Sequence, residues 1–417
     1  MRILALAACL LLAPTLARAQ EETEDAKFGL TGDWAGARTR LKDQGLTFRI
    51  TGKTDAAFNG QGGDTHTAAA AGQVTVGLTA DLGKLIDDTG GTLHLAVTKR
   101  YGSDLVAHAG LGALMQVQAI YGRGDIWRLT QLYLEQKLGE SLEVKLGRVN
   151  PGQDFDAFEC DFQNLSFCGA QAGNLVGDYW FNSPVSQWGA RAKLKFGEAG
   201  YAELGAYDVN DDNLRHGFSL ETTGGEGTLV PFELAATPNV NGLPGSYAVG
   251  GWYSTSDGSD VALDVNGDLK ALTGLPARQR SGRYGGYLDF KQQVSGEQDK
   301  SGLTLFLRMA QADLRTSRLD RQVTLGGTYK APFASRPDDR IGLAIGATHV
   351  NRRIAEGQAA AGQPSPQRTE YAAEVDYSYQ LTDGLSLLPN LQYIHEPGGR
   401  SSQRDAVVLG LRLDAKL

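Results

Sequence analysis

The segment 150–182 concentrates residue types that could bind a polar solute. The acidic side chains of Asp154 and Asp156 could accept hydrogen bonds, and Phe155 and Trp180 offer flat rings for stacking. Chemistry of this kind is binding rather than bond breaking, and weak contacts would let the solute leave again. The alternative interpretation is that the aromatic side chains pack the segment against its surroundings.

The same segment holds Cys160 and Cys168, the two cysteines that remain once an export signal is removed. An exported chain meets an oxidising compartment, so we expect a disulfide that pins the segment, with two free thiols as the alternative. A metal site is not expected, because seven residues separate the two cysteines and no histidine is nearby.

The sequence shows no recognisable set of catalytic residues. The six histidines include no pair four residues apart, and no Gly-x-Ser-x-Gly motif is present. The stretches 208–213 and 264–268 begin like calcium loops, but they do not have the turn glycine and the closing glutamate at the positions that an EF-hand needs. We therefore predict no enzyme, no cofactor and no metal.

Residues 1–19 predict a cleaved export signal. Arg2 precedes a short apolar run, and residues 17–19 satisfy the small-residue rule for cleavage. No later apolar stretch is long enough to cross a bilayer as a helix. The net charge of −8 is spread along the chain, so we expect no nucleic-acid partner.

From Leu46 onward the hydrophobic period is two, which is typical of β-strands. Leu194, for example, lies between Lys193 and Lys195, so one face of that strand is apolar and the other charged. About sixteen strands are predicted, at residues 46–57, 72–82, 91–99, 126–138, 141–149, 183–196, 199–207, 228–237, 246–255, 283–293, 302–313, 321–330, 340–349, 369–381, 384–395 and 405–417.

The connections between these strands alternate between long and short. Long polar segments such as 100–125 and 150–182 follow odd-numbered strands, whereas Gly139-Glu140 and Thr382-Asp383 follow even-numbered ones. An all-β, antiparallel transmembrane barrel has this asymmetry, and closure pairs every backbone group within the protein. Around sixteen strands, its lumen becomes an aqueous channel. A soluble sandwich or propeller would also alternate and is the alternative.

We make a specific prediction for the segment before the first strand and another for the last strand. Residues 20–45 contain one short helix, with Asp33 as its N-cap, Trp34 and Leu41 on one face and a stop at Gly45. The last strand, 405–417, is expected to close against the first strand, with its apolar side chains toward lipid. In that strand Arg412 should face water and Leu417 should lie at the periplasmic rim.

Seven stretches are distinctive beyond their strand periodicity. They are LTGDWAGARTRLKDQGLTF, LEVKLGRVNPGQDFDAF, CDFQNLSFCG, DYWFNSPVSQWGARAKLKF, LPGSYAVGGWYST, GGYLDFKQQV and the closing DAVVLGLRLDAKL. In order along the chain, these stretches resemble carbohydrate-selective porins of the OprB family. The resemblance implies an outer-membrane barrel of sixteen strands over 46–417, an N-terminal periplasmic segment over 20–45, and a channel that admits sugars by diffusion. Leu417 departs from the family pattern, in which an aromatic residue commonly ends the barrel.

A sugar-selective channel needs polar groups for the sugar hydroxyls and an aromatic ring or two for stacking. Segment 150–182 follows the fifth strand, where porins of sixteen strands fold a loop inward, so we predict the constriction there. Arginine is favoured, because its planar fork can donate to two neighbouring hydroxyls. The alternative for any single cation is a solvated wall. The predicted constriction contacts are Arg49, Arg100, Glu135, Arg148, Asp154, Phe155, Asp156, Trp180, Arg191, Lys193 and Arg308.

The predicted function is passive, sugar-selective diffusion of glucose-like monosaccharides and small oligosaccharides across the outer membrane of a Gram-negative bacterium. The alternative is a general or anion-preferring porin, which the lumen cations favour. Expected partners are carbohydrate solutes, outer-membrane lipid and the barrel-insertion machinery. A monomer and a homotrimer both stay open.

Overall fold

The computed structural model describes residues 28–86, 90–298 and 300–417, so the predicted export signal lies outside the described residues. Within them, sixteen strands form the wall of a barrel. The strands are β1 (Leu46–Gln61), β2 (Ala68–Asp81), β3 (Gly91–Gly102), β4 (Trp127–Leu138), β5 (Leu142–Val149), β6 (Gln187–Lys195), β7 (Gly200–Val209), β8 (Gly227–Ala236), β9 (Leu243–Ser254), β10 (Arg283–Gln293), β11 (Gly302–Ala312), β12 (Leu319–Lys330), β13 (Arg340–Val350), β14 (Thr369–Thr382), β15 (Leu385–His395) and β16 (Ala406–Lys416).

The barrel is closed by its first and last strands. Each strand pairs antiparallel with the next one, and β16 returns to pair with β1. In this seam Phe58 lies opposite Leu409, and Lys53 lies opposite Asp414. Closure pairs the two strands that an open sheet would leave at its edges. The predicted strands, their antiparallel order and the barrel are confirmed, and the soluble alternative is wrong.

The two faces of the wall differ as the alternation predicts. Leu204, Leu343 and Leu409 point outward and are 56%, 56% and 53% exposed, which suits contact with lipid. The opposite residues point into the lumen, where Arg412 is 1% exposed and donates to Asp55 at 2.7 Å. The expectation that Arg412 faces water is therefore wrong, because a folded loop fills that part of the lumen.

The connections at the two barrel ends differ in length. One end has long connections, among them 103–126, 150–186 and 255–282, and the other has short ones such as 139–141 and 383–384. Long connections mark the extracellular side of an outer-membrane barrel. Connection 255–282 carries its own two-stranded hairpin, Gly258–Asp264 paired with Ala277–Arg280, and the two-residue strand Asn239–Val240 pairs with the start of β9.

The helices among the described residues are short. None of them is long and apolar enough to cross a membrane. The α-helices are Ala37–Asp43, Leu82–Ile86, Leu105–His108, Gln171–Leu175, Asp212–Arg215, Lys270–Thr273 and Arg352–Ala360, and the 3-10 helices are Gly29–Thr31, Pro151–Gln153, Leu165–Phe167 and Pro397–Gly399.

The N-terminal segment differs in detail from its predicted helix. The helix begins at Ala37 rather than directly after Asp33, because Trp34 and Ala35 adopt positive φ angles of 49° and 55°. Asp33 still accepts a hydrogen bond in the first turn, from the Thr39 amide at 2.8 Å. Arg38 then donates to the carbonyl oxygens of Phe28, Gly32, Phe48 and Leu417, which fastens this segment beneath the seam of the barrel.

Candidate functional site

Residues 150–186, the inward loop, fold inside the barrel between β5 and β6. Phe155, Phe162, Phe167 and Trp180 of this loop have no exposed surface. Such burial is unusual for a loop and shows that the barrel wall supplies a surface on which the loop packs. The loop therefore occupies part of the lumen, at the position where the sequence predicts a constriction.

The start of the inward loop is held by a charged cluster on β4 to β7. Lys145 Nζ lies 2.6 Å from Asp154 Oδ1, and Arg191 bonds to Glu143 at 2.8 Å and lies 3.3 Å from Glu135. Further along the cluster, Lys193 lies 3.2 Å from Glu203, and Lys195 lies 3.1 Å from Glu143. Four cations thus face four carboxylates, and the cluster is balanced in formal charge.

A second anchor follows two residues later. Arg308 of β11 lies 2.7 Å from Asp156 and 2.7 Å from Asp289, and both Asp156 and Arg308 are completely buried. The same guanidinium donates to the carbonyl of Gly169 at 2.8 Å, and the second oxygen of Asp156 accepts from the Ala172 amide at 2.6 Å. Arg308 therefore joins two parts of the inward loop to the wall.

The tip of the inward loop reaches the other side of the lumen. Cys160 and Cys168 form the predicted disulfide. Beside it, Arg412 donates to the carbonyls of Cys160 and Phe162 at 3.0 and 2.8 Å. Glu374 accepts from the amides of Gln163 and Asn164, both at 2.8 Å. Since Glu374 and Arg412 belong to β14 and β16, the inward loop spans the lumen from β5 to the closing strands.

A second loop, residues 103–126, also enters the lumen, and the sequence interpretation missed it. This companion loop pairs with the inward loop through Ala119 N to Gln163 O and Leu165 N to Gln116 O, both 2.8 Å. The sequence signal that could have found it is the apolar run LVAHAGLGALMQVQAI, which is a poor composition for a loop in water.

Glu370 of β14 fixes the companion loop in the same way as Glu374 fixes the inward loop. Its carboxylate accepts from the amides of Leu114, Met115 and Gly398 at 2.6, 3.3 and 2.8 Å. Because Glu370 and Glu374 are four residues apart on one strand, both point into the lumen. One strand therefore supplies carboxylate anchors to both loops.

Four predicted solute contacts are completely buried and hold the inward loop instead. Phe155 meets Tyr207 edge-on at 6.2 Å and Trp180 meets Trp252 at 5.5 Å between ring centroids, and neither ring is exposed. The packing interpretation therefore describes these two rings. Asp156 and Arg308 are buried in their ion pair, so solvent does not reach them either.

Three predicted arginines lie apart from this carboxylate network. Arg100 donates to Gln73 at 2.8 Å and to the Ser183 carbonyl at 3.2 Å, and Arg148 donates to the Ser186 carbonyl at 2.7 Å. In the described parts of the chain, neither forms an ion pair with a carboxylate. Arg49 is exposed on β1 at the periplasmic end, beside the N-terminal segment and away from the inward loop.

A polar cavity of about 500 Å³ lies on the periplasmic side of the inward loop. Cys160 and Asp161 border it from the loop, while Lys53, Arg340 and Asp414 border it from the wall. Lys53 lies 3.2 Å from Asp414, and Arg340 lies 4.0 Å from Asp161. Small-molecule sites typically enclose about 300–1,000 Å³, so this cavity is of a size to admit a small polar solute.

Comparison with known proteins agrees with this architecture. A family model described as carbohydrate-selective porin, OprB family, matches residues 65–417. Porin B of Pseudomonas aeruginosa is 38% identical over 409 residues, which cover 92% of this chain and 90% of that protein.

Two solved structures of OprB from Pseudomonas putida are similar to this chain. The high-pH structure has a TM-score of 0.90 at 37% identity and covers 94% of this chain and 99% of that one. The low-pH structure has a TM-score of 0.62 at 28% identity, with coverages of 93% and 98%.

Proposed function

Because this chain belongs to the OprB family of carbohydrate-selective porins, we propose that glucose-like sugars cross it passively beside the inward loop. The protein is a sugar-selective porin of the Gram-negative outer membrane. The observation that supports this route is the inward loop itself, which is fastened to both sides of the lumen and has a polar cavity beneath its tip.

The chemistry of the route favours weak and repeated contacts. Arg100 offers donors near one end of the inward loop, whereas Arg148 is only 2% exposed. The cavity under the tip offers Lys53, Asp161 and Arg340. Sugar hydroxyls both donate and accept, so paired charges can exchange hydrogen bonds with them without binding them tightly. Several weak stations in series allow a solute to enter and to leave.

Proteoliposome swelling with sugars of increasing size tests this proposal. We expect glucose to enter readily and larger oligosaccharides slowly, and glucose to reduce the ion current through single channels. Asp161→Ala should weaken that block, because it removes an acceptor from the cavity, whereas Glu140→Ala in the exposed β4–β5 turn should leave it unchanged. The proposal fails if glucose neither permeates nor blocks.

A second candidate is an anion-preferring channel, which Arg100 favours because, among the described residues, it forms no ion pair with a carboxylate. Arg100 leaves positive charge at its side of the lumen, and a narrow, charged passage concentrates counter-ions. The reversal potential in a KCl gradient measures this preference. A strong chloride preference that Arg100→Gln abolishes, together with no glucose effect, would favour this candidate over the sugar route.

We also propose that the protein is a channel without covalent chemistry, which its membership of a porin family supports. A homotrimer and delivery by the barrel-insertion machinery stay predictions. Cross-linking of the protein in outer-membrane fragments, followed by electrophoresis of the unheated sample, would show whether three copies associate.

A further inference from the structure

An apolar groove of about 370 Å³ crosses the outer face of the barrel at β12 to β15. Its floor contains small residues, Gly346, Ala347 and Ala373, while larger side chains such as Leu325 and Tyr393 stand on either side. The groove therefore results from side-chain size, on a wall whose other outward positions mostly carry large apolar residues. A groove with these walls fits a flexible hydrocarbon chain.

The strand register locates the groove along the membrane normal. One row of neighbours runs from Val323 through Ala347 and Tyr371 to His395. The row above it, toward the long connections, begins with Arg321 opposite His349. Since the long connections are extracellular, the groove opens at the level of the outer leaflet.

Polar groups surround the upper end of the groove. Arg321 is exposed on the same face of β12 as Val323, and in the described part of the chain its guanidinium has no ion pair. On the other side, the Tyr393 hydroxyl donates to Asp405, whose carboxylate also lies 3.0 Å from Nδ1 of His395. The rim thus offers a cation on one side and hydroxyl, imidazole and carboxylate groups on the other.

We propose that this groove binds an acylated, phosphorylated glycolipid of the outer leaflet. An acyl chain lies in the groove, a phosphate pairs with Arg321, and sugar hydroxyls of the headgroup bond to Tyr393 and Asp405. Guanidinium and phosphate form charge-assisted, often bidentate, hydrogen bonds, which gives the site its preference for a phosphorylated lipid. The polar rim on the opposite side matches a sugar headgroup.

A second copy of the chain is the competing occupant. An isologous contact would place the same concave patch on both partners, which leaves a void between them rather than a packed interface. A lipid chain has no such difficulty, because it adapts its shape to the groove. The geometry therefore favours the glycolipid.

Titration of the purified barrel in detergent with lipid A, with bound lipids counted by native mass spectrometry, tests the site. We expect one tightly bound lipid A per barrel. Ala373→Leu should weaken lipid A binding about tenfold or more, because the larger side chain fills the groove. Arg321→Ala should weaken binding by a similar factor, because a charge-assisted hydrogen bond is lost. Lipid A without its phosphates should bind the wild-type protein more weakly than intact lipid A does. It should bind the wild-type protein and Arg321→Ala with equal affinity.

Ala206→Leu, at an exposed outward alanine of β7, is the matched control and should leave lipid binding unchanged. Heat-modifiable mobility in electrophoresis and unchanged glucose swelling would show that each variant is folded. Equal lipid affinity of wild type, Ala373→Leu and Arg321→Ala would overturn the proposal, because it would indicate only the general lipid coat. A dimer that Ala373→Leu dissociates without loss of lipid would assign the groove to a second copy.

Discussion

The inward loop is attached to the two sides of the lumen by different chemistry. On the β4 to β11 side, wall cations pair with side chains of the loop, as in Lys145 with Asp154 and Arg308 with Asp156. On the β14 to β16 side, Glu374 and Arg412 bond to the loop's main chain. The first attachment depends on which residues the loop carries, and the second depends chiefly on its backbone path.

This difference suggests a division of roles between the two attachments. Side-chain ion pairs determine the register in which the loop leaves β5, because only an acid at the correct position can meet Lys145 or Arg308. Main-chain contacts hold the tip, and the side chain of Asp161 borders the cavity. The structure therefore combines a start held by ion pairs with a tip whose Asp161 borders the cavity.

Breaking the first attachment should have the largest effect. Arg308→Met leaves Asp156 buried without its cation, and loss of one partner of a buried pair typically costs about 3–5 kcal/mol. We expect faster swelling with larger oligosaccharides and a lower unfolding temperature. Arg215→Met, at an exposed loop arginine, is the control and should resemble wild type. Unchanged permeability in Arg308→Met would show that this pair does not position the loop.

Breaking the second attachment at Glu374 should have a somewhat smaller effect, because Arg412 still bonds to the carbonyls of Cys160 and Phe162. Glu374→Ala leaves the amides of Gln163 and Asn164 without their acceptor, at about 1–3 kcal/mol for each unsatisfied group. We expect single-channel conductance to rise and the tip to become sensitive to protease. Glu374→Gln keeps one acceptor oxygen and should lie between Ala and wild type. Equal behaviour of the Ala and Gln variants would contradict the main-chain anchor.

Removing the disulfide should change the tip less than Glu374→Ala does. Closing so short a loop contributes about 2–3 kcal/mol in the chain-entropy model, but Arg412 and Glu374 still hold the same backbone after reduction. We expect a reductant to raise the conductance of the wild-type channel modestly. The same treatment should not change the conductance of the double variant Cys160→Ser and Cys168→Ser. A conductance change as large as that of Glu374→Ala would make the disulfide the main constraint.

The smallest effect concerns an extracellular contact outside the lumen. Burial acts to raise the pKa of Asp260, but hydrogen bonds from the Ala262 and Leu263 amides and from Arg280 and Arg353 lower it to about 2. Because the folded pKa lies below the ordinary value of 3.8, this contact stabilises connection 255–282 above about pH 4 and is lost as pH falls toward 2.

Limited proteolysis with an acid protease between pH 4 and 2 measures this loss. Cleavage in connection 255–282 should increase as the pH falls, while cleavage of the inward loop stays low. Asp260→Asn should show the higher cleavage already at pH 4 and little further change. A cleavage rate of wild type that is independent of pH would contradict the assignment.

The barrel could be predicted from the sequence because the alternation of apolar and polar residues depends only on neighbouring positions. Alternation such as that of Leu194 with Lys193 and Lys195 needs only neighbouring residues, and connection lengths show which end is extracellular. The disulfide was also within reach, since two cysteines close in sequence leave one pairing. The start of the N-terminal helix was not predicted correctly, because Trp34 and Ala35 adopt positive φ angles and the helix begins only at Ala37.

The candidate site was predicted less well, because its contacts join distant parts of the chain. Segment 150–182 was identified, but Phe155 and Trp180 turned out to face Tyr207 and Trp252 rather than open water. Glu370 accepts a hydrogen bond from the Leu114 amide, 256 residues away in sequence. No local sequence pattern predicts such a pair. An alternating strand shows that a charge faces inward, but not which charge it meets there.

The sequence by itself determined the strand pattern and the two faces of the wall, because hydrophobic alternation acts over a few residues. Only the tertiary structure decided which inward groups stay available to a solute. Closure places β14 to β16 across from β5, so residues far apart in sequence become hydrogen-bond partners. Burial of polar groups inside a barrel requires those partners, and their positions depend on the whole circle of strands.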